Sequence, residues 1–512
     1  MNRRNALKWM AGAGLYAMMG PACTKSIFED GKKPNIVLFY ADDIGYGDIG
    51  CYGAHGVRTP NLDRLASGGV RFTDAHCSSA TCTPSRYSLL TGSYAFRRNA
   101  QVLQGNAPLL ISLETPTLPA ILQKAGYRTG VVGKWHLGLG DGDLDWNGKI
   151  SPGPLEIGFD YSFLIPATGD RVPCVYVENH SVVNADPADP IRISYRKPIG
   201  DVPTGESHPQ LLRMKADGQH SKTIINGISR IGYMEGGEKA LWKDEEFPFV
   251  LTEKCEHFIQ ENRENPFFLY YSFHDIHVPR VTHPDFVGKS TMGPRGDAIA
   301  QVDYCVGRIM KTLEEHNLME NTLVLFTSDN GPVLDDGYED RAVEMLGDHK
   351  PAGPFRGGKY SAFEAGTRMP TIAFWPSKIN PGVNDALWGQ IDLFASLAAL
   401  TGQTLNPNAS PDGENMLDVL LNRSDRGRDY LLEESHTLSL RYKHWKYIRP
   451  SKPIAWIDKG KKIESGQSIG DQLYDLSTDI GEQTNLAAEK PAMVRRLSEK
   501  LNEIAGSERG RK

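Results

Sequence analysis

The sequence predicts an α/β protein: a mostly parallel sheet flanked by helices, with a smaller α+β subdomain at the C-terminus. Four short apolar runs rich in β-forming residues each end in a polar cluster, which is typical of buried parallel strands. These runs are 35–40, 127–132, 267–273 and 322–327. Amphipathic helix patterns precede the last three, at 117–125, 251–262 and 297–316. Because a helix between two strands makes a parallel crossover, the four strands should share one sheet.

The first strand, Asn35–Tyr40, leads directly into Asp42 and Asp43. Two carboxylates beside a buried strand are costly unless a cation pairs with them. Ligands of open parallel sheets bind at the carboxyl ends of the strands. A solvated turn is the ordinary alternative for an Asp-Asp pair, but the buried strand before it and the glycines after it favour a metal site.

The stretch Cys82–Gly92 predicts the start of a helix, because Pro84 suits a first turn and apolar Leu89 and Leu90 follow. A cysteine at a helix N-terminus lies near the positive end of the helix dipole, and Arg86 adds a further positive charge. Both favour an anion at this point. The alternative is that Cys82 is a small buried apolar residue.

Polar clusters also follow the three later strands of the predicted sheet. They are Lys134-Trp135-His136, His274-Asp275-Ile276-His277 and Ser328-Asp329-Asn330. Because parallel strands end at one edge of a sheet, we expect these clusters to meet Asp42 and Asp43 there. The oxygen donors of Asp42, Asp43, Asp329 and Asn330 suit Ca²⁺ or Mg²⁺ and argue against zinc.

The rest of the chain is less regular. Residues 139–243 lack periodicity, and so long an irregular insertion is expected to build a substrate pocket. Further along we predict a strand at 369–375, a helix at 385–400, a linker at 405–412, strands at 430–433, 445–449 and 473–476, and a helix at 491–505. These elements divide the mature chain into a catalytic domain at 34–404 and a C-terminal subdomain at 413–512.

Residues 1–23 are predicted to be an export signal rather than part of the fold. Arg3 and Arg4 precede the apolar stretch Trp9–Met19, which resembles a twin-arginine signal and is short for a membrane span. Two alternatives stay open for Cys23: the lipid-anchored first residue of a lipoprotein, or a residue beside the cleavage point of a free form. Either predicts the periplasm or the surface of a bacterium.

Composition excludes some classes of function. A net charge of -6 over 512 residues leaves no basic surface of the kind that binds nucleic acid. Seven scattered cysteines match neither a disulfide framework nor a zinc spacing. We expect most of them to be core thiols, although an exported protein could hold a bridge.

The motif Cys82-Thr83-Pro84-Ser85-Arg86, followed by Leu90-Thr91-Gly92, resembles the signature of the type I sulfatases. In that family a maturation enzyme oxidises the cysteine to formylglycine (3-oxoalanine), and the hydrated aldehyde is the nucleophile. The resemblance implies the alkaline-phosphatase-like fold and a sulfate-ester hydrolase. It also implies Ca²⁺ held by the modified Cys82 with Asp42, Asp43, Asp329 and Asn330.

The resemblance also assigns roles to the remaining catalytic positions. Arg86, Lys134 and Lys359 would clamp the sulfate group, because fixed cations favour charge that develops in the transition state. His277, with Lys359, would give a proton to the leaving sugar oxygen, and His136 would take one from the second hydroxyl of the hydrate. His274 is expected to support the site by hydrogen bonding.

The substrate is predicted from closer similarity to bacterial galactose and N-acetylgalactosamine 6-O-sulfatases. The similar stretches are Ala167–Pro173, Gly347–Lys350 and the Gly-Pro-Phe-x-x-Gly-Lys segment that ends at Lys359. They predict a sulfated glycan from a host or an alga. Lys134, His277 and Lys359 would bind its sulfate, and Asp170, Arg171, Asp348 and His349 would contact its sugar. Ion pairs within loops are the alternative for these last four residues.

Two other functions compete with this prediction. A formylglycine phosphodiesterase or phosphonate monoester hydrolase would need the same nucleophile, whereas a two-zinc phosphatase would need more histidines and carboxylates. An inactive glycan-binding lipoprotein is the rival from another class. It would have no use for a nucleophile and two proton carriers.

Overall fold

The computed structural model describes residues 32–142, 144–406 and 409–507. The predicted export signal at 1–23, with Cys23, lies outside these residues. Pro34–Lys512 forms one compact unit. That unit contains both the predicted catalytic domain and the predicted C-terminal subdomain, so the boundary between them stays a prediction.

Twenty strands lie in the described residues. They are β1 (Asn35–Ala41), β2 (Val70–Phe72), β3 (Ala75–His76), β4 (Arg128–Lys134), β5 (Tyr161–Ile165), β6 (Val177–Glu178), β7 (Ser181–Val182), β8 (Arg192–Ser194), β9 (Ile224–Ile225), β10 (Ile228–Ser229), β11 (Tyr233–Glu235), β12 (Phe267–Ser272), β13 (Thr322–Ser328), β14 (Thr371–Phe374), β15 (Gly382–Asn384), β16 (Trp388–Gly389), β17 (Tyr430–Glu434), β18 (Leu438–Tyr442), β19 (Trp445–Ile448) and β20 (Gln472–Asp475).

Eight α-helices accompany these strands in the same residues. They are α1 (Pro60–Gly68), α2 (Cys82–Thr91), α3 (Leu118–Lys124), α4 (Phe247–Asn262), α5 (Gly293–Glu315), α6 (Leu393–Leu400), α7 (Leu417–Leu420) and α8 (Pro491–Gly506).

Ten strands form the large sheet, in the order β15-β2-β14-β13-β1-β12-β4-β5-β6-β7. The central five, β13 to β5 in that order, are parallel. Antiparallel pairs extend the sheet on both sides. Every residue of β1 is buried, which explains why that strand is a continuous apolar run rather than an alternating one. The predicted parallel sheet is therefore confirmed.

Two groups of helices flank the sheet. α4 packs on β12 and β4 and also contacts α5, which packs on α1. α3 packs on β4 and contacts α6 and α2. The side chain of Thr117 accepts a hydrogen bond from Ala120 N and so begins α3, as the sequence predicts.

A separate antiparallel sheet, β17-β18-β19-β20, forms the smaller C-terminal layer. α8 packs on it through Leu497 and Leu501, which lie one helical turn apart and are fully buried against Leu440 and Leu473. No helix in the described part of the chain has the length and apolar character needed to cross a membrane.

Two sequence predictions were wrong here. The region 385–400 is not one helix, because Trp388 and Gly389 pair as a strand with β3 before α6 begins at Leu393. The Asp392 carboxylate accepts a hydrogen bond from Gly389 N and marks the change of structure. The insertion 139–243 was expected to be irregular, yet its β5 extends the large sheet as a parallel strand.

Candidate active site

Parallel strands that lie next to one another deliver the polar side chains of the site. In the order of the sheet, these are Asp329 and Asn330 after β13, Asp42 and Asp43 after β1, His277 after β12, and Lys134 and His136 at the end of β4. Cys82 is the first residue of α2, and Lys359 comes from the segment before β14. All nine side chains are at most 3% exposed. The polar clusters that follow the four strands therefore lie at one edge of the sheet, as predicted.

The backbone at this edge takes unusual conformations. Asp43, His136 and Tyr360 have left-handed φ values of 60°, 53° and 69°. Gly133, with φ 111°, lies so close to β12 that a Cβ atom would come within 1.8 Å of the Ser272 carbonyl oxygen. Non-glycine residues in this region are strained, and such strain is common at functional sites. Here it aims Asp43 and His136 into the site.

Four oxygen-bearing side chains form a cradle suited to a cation. The amide of Asn330 donates to Asp43 Oδ1 at 2.7 Å, and Asp43 N donates to Asp329 Oδ1 at 3.3 Å. Asp42 Oδ1 and Asn330 Oδ1 are buried and have no hydrogen-bond partner in the described chain. Burial, with the charge of Asp329 second, raises the pKa of Asp42 well above its usual range. Partnerless hard oxygens are ligands that Ca²⁺ accepts, so these residues fit that ion.

Three cations lie against the same carboxylates. Lys134 Nζ donates to Asp42 Oδ2. Lys359 Nζ lies 2.9 Å from Asp43 Oδ2, and Arg86 contacts Asp329 Oδ2 through Nη2 at 2.7 Å and Nε at 3.0 Å. Burial opposes the charge on Lys359, but Asp336 and Asp43 outweigh it and hold its pKa well above the usual value. Lys359 is thus charged, and both lysines lie at positions from which they could contact an anion.

Cys82 and His136 are paired. Cys82 Sγ lies 3.3 Å from His136 Nδ1, and His136 Nε2 lies 2.9 Å from the Leu103 carbonyl oxygen. Because a carbonyl only accepts, Nε2 carries the proton and the Nδ1 lone pair faces residue 82. Burial lowers the pKa of His136 well below its usual value and raises that of the Cys82 thiol. A neutral thiol beside a neutral imidazole is a poor nucleophile in this form.

His277 has a similar arrangement. Its Nδ1 donates to the Val278 carbonyl oxygen at 2.7 Å, which leaves Nε2 free of a proton and 3.9 Å from Asp43 Oδ2. Burial, and then the charges of Lys359 and Lys134, lower its pKa well below the usual value. His274 Nε2 instead accepts a hydrogen bond from Gly169 N at 2.9 Å, and so supports the neighbouring wall of the site.

A cavity of about 330 Å³ opens above Cys82. Its buried lining, here called the floor, comprises Thr81, Cys82, His136, Asp170, His220, His277, Asp336 and Lys359. Its exposed lining, here called the mouth, comprises Gln101, Val102, Gln219, His436 and Trp456. The nucleophile position, Lys359 and the two histidines therefore line one cavity, and its volume suits a small ligand.

One wall of the cavity carries Asp170 and Arg171. Arg171 Nη1 contacts both carboxylate oxygens of Asp170, at 2.6 and 2.7 Å, and His220 Nε2 lies 3.3 Å from Asp170 Oδ2. Although burial opposes it, the charge of Arg171 holds the pKa of Asp170 well below its usual range. Asp170 and Arg171 thus form an ion pair, and together with His220 they also line the cavity.

The family model for sulfatases, described as "Sulfatase", matches residues 34–403. The chain belongs to the sulfatase family. It is a sulfuric ester hydrolase, and its parallel sheet with a small antiparallel C-terminal sheet is the alkaline-phosphatase-like fold of that family.

Individual relatives agree with the family match. The sulfatase is 50% identical to N-acetylgalactosamine-6-O-sulfatase of Bacteroides thetaiotaomicron over 98% of this chain and 99% of that protein. It is 34% identical to human arylsulfatase A, over 89% and 83% of the two chains. A solved 6S-sulfatase structure, from work on glycosaminoglycan metabolism by B. thetaiotaomicron, matches with a TM-score of 0.91 and 52% identity. The match covers 93% of this chain and 100% of that one.

Two residues predicted to contact sugar lie elsewhere in the sulfatase. His349 Nε2 is 2.8 Å from Asp48 Oδ1, and Asp48 is also held by Arg295 at 2.6 Å. Asp348 is exposed to solvent. Of the residues that the structure describes, neither of these two lines the cavity above Cys82. His349 thus belongs to a buried group with Asp48 and Arg295, which agrees with the ion-pair alternative given above, and Asp348 lies at the surface.

Ten of the lining residues of the sulfatase were missed by sequence reasoning, among them His220, Asp336, Tyr360, Trp456 and Lys461. Asp336 contacts Lys359 Nζ at 3.0 Å and Lys461 Nζ at 3.0 Å, and Tyr360 lies beside it. Trp456 and Lys461 come from the C-terminal part of the chain, far from any motif. The Asp335-Asp336 pair, which follows the end of β13, was a weak sequence signal for a site residue. No local sequence pattern indicated Trp456 or Lys461.

The six cysteines in the described residues, Cys51, Cys77, Cys82, Cys174, Cys255 and Cys305, are all free. Apart from Cys51, which is half-buried, they are buried, as expected for core thiols.

Proposed function

We propose that this sulfatase hydrolyses the 6-O-sulfate ester of N-acetylgalactosamine or galactose in sulfated glycans of hosts or algae. The observation that carries the proposal is the floor of the cavity: Cys82 beside His136 Nδ1, with Lys359 and a calcium-compatible oxygen cradle against it. The 50% identity to an N-acetylgalactosamine-6-O-sulfatase supports the choice of sugar and position.

A modified side chain and a metal ion would complete the chemistry. Formylglycine at position 82, in its hydrated form, would supply the oxygen that attacks sulfur and the second hydroxyl that allows sulfate to leave by C–O cleavage. Asp42, Asp43, Asp329 and Asn330 would hold calcium, which would supply positive charge to the hydrate and to the sulfate oxygens. The neutral Cys82 thiol agrees with a residue that is modified rather than used as a thiolate.

The lysines of the chain bind the anion. Lys134 and Lys359 each contact one carboxylate of the cradle. When a divalent cation takes up those carboxylate oxygens, the two ammonium groups can turn to the sulfate oxygens instead. Fixed cations in a buried site favour the charge that develops as the S–O bond breaks. Arg86 keeps Asp329 in place from behind.

The two histidines move protons. His136 presents an unprotonated Nδ1 to residue 82, so it can take a proton from the second hydroxyl of the hydrate. His277 presents Nε2 to the cavity. A bound sulfate ester carries negative charge that favours imidazolium, and His277, with the ammonium of Lys359 nearby, then gives the proton that the leaving sugar oxygen needs.

Asp170 and Arg171 are the sugar contacts that we retain, and His220 joins them. A buried carboxylate and a guanidinium together offer acceptors and donors to sugar hydroxyl groups. Asp348 and His349 are not part of this proposal.

We also place the enzyme in the periplasm or on the cell surface of a bacterium. Residues 1–23 would direct export, with or without a lipid anchor at Cys23, and a formylglycine-generating maturation enzyme would modify Cys82. The catalytic domain would span 34–404 and the C-terminal subdomain 413–512.

The test compares sulfate release from 6-sulfated N-acetylgalactosamine and from 6-sulfated N-acetylglucosamine. The protein has its formylglycine content confirmed by mass spectrometry, and Cys82→Ala is assayed beside it. We expect release from the galacto sugar, lowered at least about 10³-fold by the substitution because the nucleophile is gone. The melting temperature of Cys82→Ala should stay within a few degrees of the parent.

Other outcomes have definite meanings. Equal release from both sugars would contradict recognition of the galacto configuration. No release from either by protein that carries formylglycine would end the 6-O-sulfate proposal, and phosphodiester and phosphonate monoester substrates would then be assayed. Glycan binding without turnover of any ester would favour the inactive binding protein.

A further inference from the structure

The lining of the cavity changes from buried to exposed between the floor and the mouth. The floor carries the nucleophile position, both catalytic histidines and Lys359, whereas the mouth carries no residue to which we assign a catalytic role. A volume of about 330 Å³ is at the lower end of the range for small-molecule sites. One sulfated sugar ring would fill such a space, so a second ring of the same glycan has to extend through the mouth.

Trp456 is the largest side chain at the mouth and is 48% exposed. Two rings hold it edge to face: Tyr360 at 5.0 Å and 72°, and His436 at 6.0 Å and 89°. Edge-to-face packing restrains the plane of the indole ring, and its 48% exposure leaves part of the ring open to a ligand. An indole held in this way costs little conformational entropy when a ligand packs on it.

The segment that carries Trp456 is anchored at the floor as well. A π-helical turn, Trp456–Lys461, places Lys461 Nζ 3.0 Å from Asp336, and Asp336 lies 3.0 Å from Lys359 Nζ. π-Helical turns are rare and are frequent at functional sites. Trp456 is thus held at a fixed distance from the lysine that we assign to the sulfate group.

We infer that Trp456 forms a second sugar subsite, which binds the ring next to the sulfated residue of an oligosaccharide. A sugar ring has an apolar face of C–H groups that packs on an indole, and polar edges that need hydrogen-bond partners. Gln101, Gln219 and His436 supply such partners around the same mouth. The inference rests on the proposed carbohydrate substrate and adds a length preference to it.

The test measures kcat and KM on two substrates: the 6-sulfated monosaccharide, and a disaccharide in which that same residue is linked to a second, unsulfated sugar. We expect the parent protein to have the lower KM for the disaccharide. In Trp456→Ala, kcat/KM for the disaccharide should fall about tenfold, through KM, while the monosaccharide changes less than about twofold. Trp456→Phe should recover most of the loss.

The matched control is Ile469→Ala, which truncates an apolar side chain that is 84% exposed and outside the cavity lining. It should leave both substrates unchanged. A parallel loss on both substrates in Trp456→Ala would mean that the residue only supports the fold, and no change on either would mean that no second ring binds there. Each result would overturn the inference.

Binding in the Cys82→Ala background separates this inference from the proposed function. Calorimetric titration of that variant with both sugars needs no turnover. If the parent protein releases no sulfate, the proposed function fails, yet tighter binding of the disaccharide that is lost in Cys82→Ala/Trp456→Ala would still support the subsite. Equal affinity for the two sugars would overturn it.

Discussion

Two of the clusters of charged side chains buried in the described part of this sulfatase can be compared, and we assign catalysis to only one of them. The catalytic cluster joins Asp42, Asp43 and Asp329 to Lys134, Lys359 and Arg86. The second, here called the junction cluster, consists of Asp74, His76, Glu364, Arg368, Glu433, Arg441 and Lys446. Ligand atoms lie within 4.8 Å of one another in the group Asp42, Asp43 and His277 and in the group Asp74, His76 and Glu364.

The junction cluster ties the C-terminal sheet to the large one. Arg441 of β18 contacts Glu364 at 2.7 Å and Asp74 at 3.1 Å. Lys446 of β19 contacts Glu433 at 2.8 Å and Glu364 at 3.1 Å. Each of the three carboxylates has a partner for both of its oxygens. No oxygen of these three carboxylates is therefore left without a partner.

The catalytic cluster differs in two respects. Asp42 Oδ1 and Asn330 Oδ1 have no partner among the described residues, and one member of the cluster, Lys359, lines the floor of a cavity. Buried ion pairs by themselves are therefore poor evidence of function. Buried oxygens without a partner are better evidence, and the comparison can be tested by making matched changes in both clusters.

The largest effect that separates the clusters is on stability. Arg441→Met leaves Glu364 and Asp74 short of a buried partner, so we expect a loss of about 3–5 kcal/mol in the free energy of unfolding. The kcat of the molecules that remain folded should stay within about twofold, because Arg441 is not in the cavity lining. Denaturant titration measures the free energy of unfolding. Steady-state kinetics, with the concentration of active sites determined by titration, measure kcat.

The exposed Arg495, on α8, gives the matched control. Arg495→Met should change stability by no more than about 0.5 kcal/mol. If Arg441→Met instead lowered kcat at unchanged stability, the junction cluster would have a catalytic role and the comparison would break down.

Calcium should act on one cluster and not on the other. At 100 times its dissociation constant, an ion that binds only the folded state stabilises it by about 2.7 kcal/mol, which we expect to see as a rise of a few degrees in melting temperature. Asp329→Asn should abolish the rise, because it removes a charge from the cradle. Glu433→Gln should keep it.

Chelation provides the reverse measurement. EGTA should lower the melting temperature of the parent and of Glu433→Gln by the same number of degrees. A calcium response that survives Asp329→Asn but disappears in Glu433→Gln would assign the ion to the junction cluster.

The junction cluster should also make stability depend on pH. Burial raises the pKa of Glu482, beside Glu364 and Lys446, to about 8. Burial opposes the charge on His76, but Glu433 and Asp74 outweigh it and raise its pKa as well. Both groups bind a proton more tightly in the folded state than in the unfolded state, so stability must fall as pH rises through the folded pKa values.

We therefore expect a loss of about 2 kcal/mol between pH 6.5 and 8.5, measured as melting temperature against pH. In Glu482→Gln the group no longer titrates, so the curve should be flatter over this range. A curve for the variant that is as steep as the parent's would show that Glu482 is not the group responsible.

The smallest effect concerns Asp336, which joins Lys359 to Lys461 at the floor of the cavity. Lys359 contacts two carboxylates, and Asp336 is the one that is not a proposed calcium ligand. Asp336→Asn removes this charged partner, so Lys359 is held less firmly and kcat should fall about tenfold. KM should not rise, since the loss of a negative charge does not weaken the binding of an anion. Steady-state kinetics on the 6-sulfated sugar measure both.

Asp335→Asn makes the same chemical change one residue away, where Asp335 accepts a hydrogen bond from Gly337 N at 3.3 Å. It should leave kcat within about twofold. A rise in KM in Asp336→Asn that matched its loss in kcat would instead point to a distorted cavity.

Much of the fold was predictable because its central strands are buried on both faces and so appear as unbroken apolar runs. β18 was missed, although Leu438, Leu440 and Tyr442 alternate with Ser439 and Arg441 and so have the period of a strand. The helix predicted at 385–400 failed for another reason. Its apolar pattern is compatible with either structure, and pairing with β3 decides between them.

The floor of the site was predictable to the extent that it follows strand ends and the motif at Cys82. The mouth was not. Trp456 reaches it from a segment whose composition predicts only a loop, and its position depends on how the C-terminal sheet packs on the rest. His349 failed in the opposite way, since its carboxylate partner, Asp48, lies about 300 residues earlier in the chain.

The position of β1 has a consequence for biosynthesis. This strand is made first, yet it lies in the middle of the sheet, and its partner Thr322 is 287 residues further along the chain. At roughly 5–20 residues per second, the ribosome needs about 15–60 s to supply that partner. Until then the apolar segment Ile36–Tyr40 can pair with β12 on one side only, and Asp42 has no Asp329 beside it. The nascent chain should therefore depend on chaperones during this delay, and a chain that stops before β13 should neither fold nor bind calcium.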